Sequence, residues 1–448
     1  MREISIRVSP FEFVSYESMN VFQRAGKHAS ASVKGLIKNS DCEEYLEMLR
    51  NEQWVQIKMI HENHEDTILF YGILTSYQIE HRGGEVLLSL ELMSGSCLMD
   101  KKKHLRIYQN KKNTYYNLFH KANEEYVRNG VISSIETKTS LNRIYVQHNE
   151  TDWEFACRMA AQLNTFLVPD IHTGGVKYHV GMPIREIHPM LEHIDYIIKM
   201  DKHQHQIYNF KCRELYKMGE GFQISDIPMF IYQVKSTYVN GELIHEYCMM
   251  NRKDLQTKSY MNESISGGSL LGEITSVEKD LVQLNIKDDE LKEGVKTWFA
   301  YSTVYSSPDG TGWYCMPEPG DEVRLHFPND DESQAYVISA VHIDAQGGRN
   351  QPDHKSFKNK YGREILFTPD GIVITDHSGS RIELSEDTGI VVETDKTIKL
   401  NANEKILISS KEGQLNLVAT DLVKLRQDDT MIKLDDDIMF SGGEFRIQ

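Results

Sequence analysis

RIELSEDTGIVVETDKTIKLNANEKILISS, residues 381–410, says one short phrase four times. Ile382 and Leu384 are followed by Ile390 and Val392, then Ile398 and Leu400, then Ile406 and Ile408. With slight slippage the series continues at Leu415/Leu417, Val423/Leu425, Ile432/Leu434, Ile438/Phe440 and Phe445/Ile447. Two aliphatic residues spaced by two share one face of a strand, and the polar residue between them points the other way. The repeat therefore predicts short strands joined by tight turns, with one apolar stripe. A single winding of such a stripe exposes aliphatic side chains and open strand edges. An eight-residue rung is too short for a single-chain β-solenoid coil of about twenty residues. Three chains sharing each turn remove the difficulty. The pattern thus predicts an intertwined trimeric β-prism over residues 361–448, with the aliphatic pairs on its axis. An ordinary antiparallel sheet is the competing reading. The terminal Phe440, Phe445 and Ile447 are expected to contact whatever caps the open strand end.

Outward from the repeat, composition sets limits. A length of 448 residues implies two to four domains, and 40% hydrophobic with 26% charged residues is ordinary for a globular chain. No apolar run reaches the length of a membrane span, and MREISIRVSPFEF has no apolar signal core. Assembly in the cytoplasm is the expectation. The six cysteines are scattered without a CxxC, which argues against a zinc site or a disulfide framework. A net charge of −16 argues against nucleic acid as a partner.

Residues 1–265 read as mainly β. Ile4, Ile6 and Val8 alternate, as do Val55, Ile57 and Met59, and Val86, Leu88 and Leu90. Gly83-Gly84 predicts a hairpin turn. Asp41 to Asn51 predicts a short helix with Asp41 as its N-cap. Helical spacing of Tyr115, Leu118, Phe119, Ala122 and Tyr126 predicts a second helix over 114–130, capped by Asn113 or Thr114 and stopped by Gly130. Thr151 with Glu154 forms a capping-box pattern opening a helix to Asn164. Gly267-Gly268-Ser269 reads as a linker. Residues 270–343 then give about five strands between turns, as in an OB-type barrel. Residues 344–360 are a polar connector.

Two stretches carry a resemblance to a known family. They are GILTSYQIE…LSLELMSGSCLMDKKKHLRIYQN and YVQHNETDWEFACRMAAQLNTFLVPD, with Gly72, Leu98, Asp100, Arg106, Ile107 and Gln109, then Tyr145, Gln147, Glu150, Asp152, Trp153 and Phe155. They resemble the VgrG and phage late-control D family, hub proteins of contractile phage tails and type VI secretion systems. The stretch Trp313 to Val323 resembles the OB domain of the same family. The resemblance implies tube-like β-barrels forming a homotrimeric hub, an OB collar and a needle. It implies as partners the inner tube protein, baseplate proteins, a PAAR-like tip protein, an effector and the target envelope. Some spikes of this type hold iron at the tip through His-x-His, but no histidine follows His377 here, so a separate tip protein is expected.

No catalytic frame is evident. His61-Glu62-Asn63-His64 places its histidines three apart rather than four, His203-Gln204-His205 lacks a third ligand, and no GxSxG or P-loop occurs. Asp435-Asp436-Asp437 reads as a solvated face. Neither cofactor nor metal is expected, and the chain reads as a structural protein rather than an enzyme. The alternative is a trimeric tailspike or fibre that binds surface polysaccharide. That would want an aromatic-lined groove, which the narrow repeat lacks.

Overall fold

The computed structural model describes residues 5–61, 65–189, 194–224, 226–294, 297–340, 351–434 and 438–441. It divides into two units, residues 1–343 and residues 344–448. Strands dominate, and among the described residues no helix is long and apolar enough to cross a membrane.

The first unit opens with six strands: β1 (Ser5–Ser9), β2 (Ser15–Arg24), β3 (Ser30–Ile37), β4 (Trp54–Ile60), β5 (Thr67–Arg82) and β6 (Glu85–Ser94). Strands β3 and β4 alternate strictly, burying Val33, Val55 and Ile57 between less buried neighbours, while β6 buries Val86, Leu87 and Leu88 in succession. Gly83 and Gly84, with φ of 61° and 91°, make the predicted turn between β5 and β6. Helix α1 (Cys42–Met48) forms, but Asp41 does not cap it. A single 3₁₀ turn precedes the helix, Asp41 is already helical at φ −94° and ψ −6°, and its carboxylate accepts from Ser40 Oγ instead.

Next comes a module of β7 (Lys103–Tyr108), α2 (Tyr115–Lys121), β8 (Gly130–Ser133), β9 (Tyr145–Thr151), α3 (Asp152–Gln162), β10 (Leu167–Pro169) and β11 (Lys177–Val180). Thr114 caps α2, accepting from Asn117 N at 3.3 Å. That helix ends at Lys121, well short of Gly130. Asn123 is drawn out of the spiral to donate to Val176 O, and Arg128 turns left-handed at φ 52°. Ala122 and Tyr126 still reach the core from a non-helical turn. Thr151 and Glu154 form the full capping box on α3.

A second barrel follows, made of β12 (Ile187–Pro189), β13 (Tyr196–Met200), β14 (Gln206–Cys212), β15 (Gly221–Ile224), β16 (Ile227–Val239) and β17 (Glu242–Asn251). Strand β16 pairs with β2, so the strands of both barrels form one continuous sheet in the order β1-β4-β5-β6-β3-β2-β16-β17-β14-β13.

The OB region is a five-stranded sheet of β18 (Ser269–Glu278), β19 (Leu281–Ile286), β20 (Phe299–Ala300), β21 (Glu322–His326) and β22 (Tyr336–Ile338), in the order β20-β19-β18-β21-β22. The expected Gly267-Gly268-Ser269 linker is part of this fold: Gly267 N donates to Phe327 O at 2.8 Å and Ser269 opens β18. The OB core is not closed by its own strands alone. The ribbon β7–β9 alternates between two cores, sending Tyr108 and Tyr145 toward the helices and Ile107 and Val146 among Val282, Leu284 and Val337. Period-two geometry lets one ribbon serve both sides.

The second unit contains β23 (Lys355–Lys358), β24 (Glu364–Thr368), β25 (Gly371–Thr375), β26 (Arg381–Ser385) and β27 (Gly389–Glu393), an antiparallel meander in sequence order. Its first strand lies in the stretch expected to be a connector. Three further strands, β28 (Val423–Gln427), β29 (Thr430–Leu434) and β30 (Ile438–Ser441), form a second meander. Between them, residues 394–422 form no strand.

Candidate assembly interfaces

The residues that carried the family resemblance converge. Arg106, on β7, and Asp152, at the first position of α3, are both buried, and Arg106 Nη1 donates to Asp152 Oδ1 at 2.5 Å. Asp152 also accepts from Gln147 Nε2 at 3.0 Å and from Tyr126 Oη at 2.7 Å. A carboxylate with three donors is satisfied without water. Burial works to lower the Arg106 pKa, but the Asp152 charge outweighs it and holds the guanidinium further into its charged range. Asp100 Oδ1 accepts from Thr151 Oγ1 at 2.6 Å, while its Oδ2 meets His28 Nε2 of the first barrel at 2.8 Å. Burial would raise the Asp100 pKa; the hydrogen bonds from His28 and Thr151 win and hold it low. Trp153 lies against the His28 ring at 4.4 Å, and Phe155 stacks on Tyr108 at 5.2 Å. Leu98 packs on the same helical core, and the Tyr145 and Tyr115 hydroxyls meet at 2.7 Å. Gly72 has no room for a Cβ, which would lie 2.2 Å from Met93 O.

A second set locks this module to the OB region. Glu150 takes a two-pronged pair from Arg158, at 2.8 and 2.7 Å. Arg158 Nη1 then donates to Glu332 Oε1 at 2.8 Å, with both side chains wholly buried. Arg143 pairs with Asp331. His104 Nδ1 meets Glu290 Oε2 at 2.6 Å, Ile107 N donates to Asp289 Oδ1 at 3.1 Å, and Thr297 Oγ1 donates to Gln109 O at 2.7 Å. The acidic run Asp330-Asp331-Glu332 is thus largely turned inward as an interlock rather than presented to solvent as a ligand face.

In the second unit the octad residues face one another by register. Ile382 pairs with Val392 and Leu384 with Ile390, on β26 and β27. Val423 pairs with Leu434, Leu425 with Ile432, and Ile432 with Phe440, across β28, β29 and β30. Ile398, Leu400, Ile406, Ile408, Leu415 and Leu417 belong to no strand, and each is at least half exposed, Leu400 by 68%. Phe445 and Ile447 lie outside the described residues, as do Asp435-Asp436-Asp437. Of the histidines weighed as ligands, His61 Nε2 faces Thr67 Oγ1, and Glu62, Asn63 and His64 lie outside the described residues. His203 and His205 both donate backbone N–H groups to Asp201, whose carboxylate organises their turn.

Residues 270–342 match the type VI secretion system/phage-baseplate injector OB domain family. Among curated proteins none matches. A solved structure of the E. coli c3393 protein, described as a component of the type VI secretion system with structural similarity to the T4 bacteriophage tail proteins gp27 and gp5, aligns with a TM-score of 0.54. It is 10% identical and covers 75% of this chain and 100% of its own. A chain of the lidless PdpA–VgrG complex aligns at 0.57 with 11% identity, over 88% of this chain and 98% of its own. The lidded Francisella PdpA–VgrG complex gives 0.57 and 11%, over 88% and 80%. The chain has the VgrG fold.

Within the VgrG fold the resemblance residues act as a set. Asp100, Arg106, Gln109, Gln147, Glu150 and Asp152 supply the polar links among barrel, helices and OB region, while Leu98, Ile107, Trp153 and Phe155 fill the cores beside them. Asp152 and Trp153 do more than open and anchor a helix: the first is the acceptor at the centre of the network and the second seals it against His28. Sequence reasoning missed Arg158 and Glu332. An arginine on the apolar face of a helix is the only signal available, and it becomes informative once Glu150 lies two turns earlier on the adjoining strand.

Proposed function

We propose that this chain is the central hub and spike of a contractile injection apparatus, working as a homotrimer and as a structural protein. The observation that carries the reading is the unpaired middle of the second unit. Residues 394–422 keep the aliphatic period and, among the described residues, form no strand and pair with none. Each exposed aliphatic side chain forgoes roughly 1.5–3 kcal/mol of burial, and two further copies winding in register would recover it at every octad. The barrels would ring the end of the inner tube. The OB regions would form a collar within the baseplate, and residues 361–448 would be the needle. Phe440, Phe445 and Ile447 would meet a PAAR-like tip protein, and an effector would travel with the spike. Sheath contraction would drive the needle into a target envelope, with strands shared between chains resisting shear because many hydrogen bonds must fail together.

Light scattering on the full chain tests this. A trimer of 51.7 kDa chains has a mass of about 155 kDa. A compact particle of one chain's mass at micromolar concentration removes the needle from the reading.

A further inference from the structure

The connection from β20 to β21 runs over residues 301–321, long for a link inside a small barrel. Tyr301 pairs in parallel with Val337 of β22, and Ser302 N donates to Val337 O at 2.8 Å. Because the bridge is parallel, the chain beyond Ser302 sets off in the same direction as the chain beyond Ile338, which leaves the OB region for the second unit. The connection then folds back on itself as an arm. Ser306 bridges to Gly312, Trp313 N donates to Tyr305 O at 2.8 Å, and Ser307 N donates to Thr311 O at 2.8 Å. The two legs touch at Gly312, where φ is 143° and a Cβ would lie 2.3 Å from Tyr305 O. The Tyr314 hydroxyl donates to Lys279 O at 2.9 Å and ties one leg to the barrel. Backbone bonds thus fix the arm's shape while its apolar side chains stay in contact with water. Val304 is 91% exposed, Tyr314 73%, Tyr305 51% and Trp313 48%. The tip, residues 306–311, is polar, and Asp309 is the one charged residue from Ser302 to Met316. Its carboxylate already accepts from Thr311 N at 3.0 Å.

That distribution selects the kind of partner. A segment that binds a lipid surface or nucleic acid carries cations, and this arm has none. Its apolar residues lie along the flanks rather than at the tip, so the arm is built to lie lengthwise against a surface. Aromatic flanks with a wet polar end match the apolar centre and polar rim of a protein interface. We infer that residues 302–316 form an assembly arm whose flanks pack on a second copy of this chain. The arm's direction is what names the partner. It accompanies the departing chain, and in the homotrimer proposed above, on which this inference rests, three departing chains converge on one axis. Each arm is thereby carried to the neighbouring copy's OB region. Three such contacts are heterologous and close into a ring. The fixed shape of the arm reduces the ordering cost of making them.

The test uses the full chain with the photo-cross-linker benzoylphenylalanine placed at position 304, where the side chain is exposed and a larger one disturbs no core. Illumination of the purified protein should give a denaturant-resistant product of two 51.7 kDa chains. Mass spectrometry should map the joined peptide to the OB region of the other copy. Independently, exposed Cys315, beside Tyr314, reports whether the arm is covered. Its alkylation should be about tenfold slower in the assembled protein than in the Ile406→Asp/Ile408→Asp chain, expected to be single. A single-chain mass for the parent in light scattering removes the homotrimer reading, and this inference with it. A parent trimer that yields no two-chain product overturns the arm alone and leaves the homotrimer standing. So does a parent trimer whose Cys315 reacts as fast as in the single chain, which would leave the arm to a partner of another kind.

Discussion

Arg158 and Glu332 meet at 2.8 Å with no solvent contact, although 174 residues separate them. The pair is the deepest of the links between the helical module and the OB region. Removing one partner of a buried pair leaves an uncompensated charge in a poor solvent for it. Arg158 keeps its two bonds to Glu150, so Glu332→Leu should cost about 3 kcal/mol, the lower end for such breaks. Urea unfolding should show the loss as a lower midpoint at unchanged slope. Glu80→Ala, an exposed carboxylate on β5, should stay within about 0.5 kcal/mol of the parent.

Thr151 holds two positions at once. Its hydroxyl accepts from Glu154 N at 3.1 Å and donates to Asp100 at 2.6 Å. Thr151→Ala should therefore cost more than a cap alone, about 2 kcal/mol rather than the usual 1. Thr151→Ser keeps both bonds and should recover most of the loss in thermal unfolding.

His245 gives the protein an acid limb that begins above the carboxylate range. Burial on β17 lowers its pKa from 6.5 to about 4, with Nδ1 against Ser236 Oγ at 2.7 Å. Between those values the unfolded chain binds a proton that the folded one refuses. The stability due to the neutral ring is therefore fully present above 6.5 and lost as pH falls toward 4. Burial lowers His172 and His179 in the same direction, so they add to the slope. Unfolding free energy should fall by a few kcal/mol across this window, on the order of 3 from His245. His245→Gln should flatten the slope measured in urea series at pH 7 and pH 4.5.

Local and distant contacts differ in how far they could be read in the sequence. Gly83-Gly84 and the Thr151/Glu154 box are local, and their geometry follows from residues a few positions apart. The second helix was overextended because Ala122 and Tyr126 keep helical spacing while leaving the spiral. Periodicity reports which residues are buried, not how the backbone carries them there. Asp41 had the right side chain for a cap, but a preceding 3₁₀ turn had already fixed its backbone. The β2–β16 seam joins distant segments and leaves no local trace, and the Arg158–Glu332 pair shows locally only as an arginine on the apolar face of α3. The octad spacing is local as well: the pairs at 382–392 and 423–434 lie on strands, whereas Ile398 to Leu417 keep the spacing and form no strand.

The octads provide the last test. In a single chain Ile406 and Ile408 are 50% and 58% exposed and lie outside any strand. Replacing both with aspartate should then be neutral, since the aliphatic groups are largely in water already. In an intertwined needle the same change buries charges on the axis, three of each, without partners. The Ile406→Asp/Ile408→Asp chain should therefore lose the trimer's mass in light scattering and melt at lower temperature. The melting of the first unit, whose cores do not include these residues, should be unchanged. Changing Ile406 and Ile408 to valine keeps the stripe and should retain the trimer, with a loss of about 1 kcal/mol per site. If the aspartate variant keeps the parent's mass and melting profile, the aliphatic pairs do not line a shared axis, and the single-chain meanders are the whole of this unit's architecture.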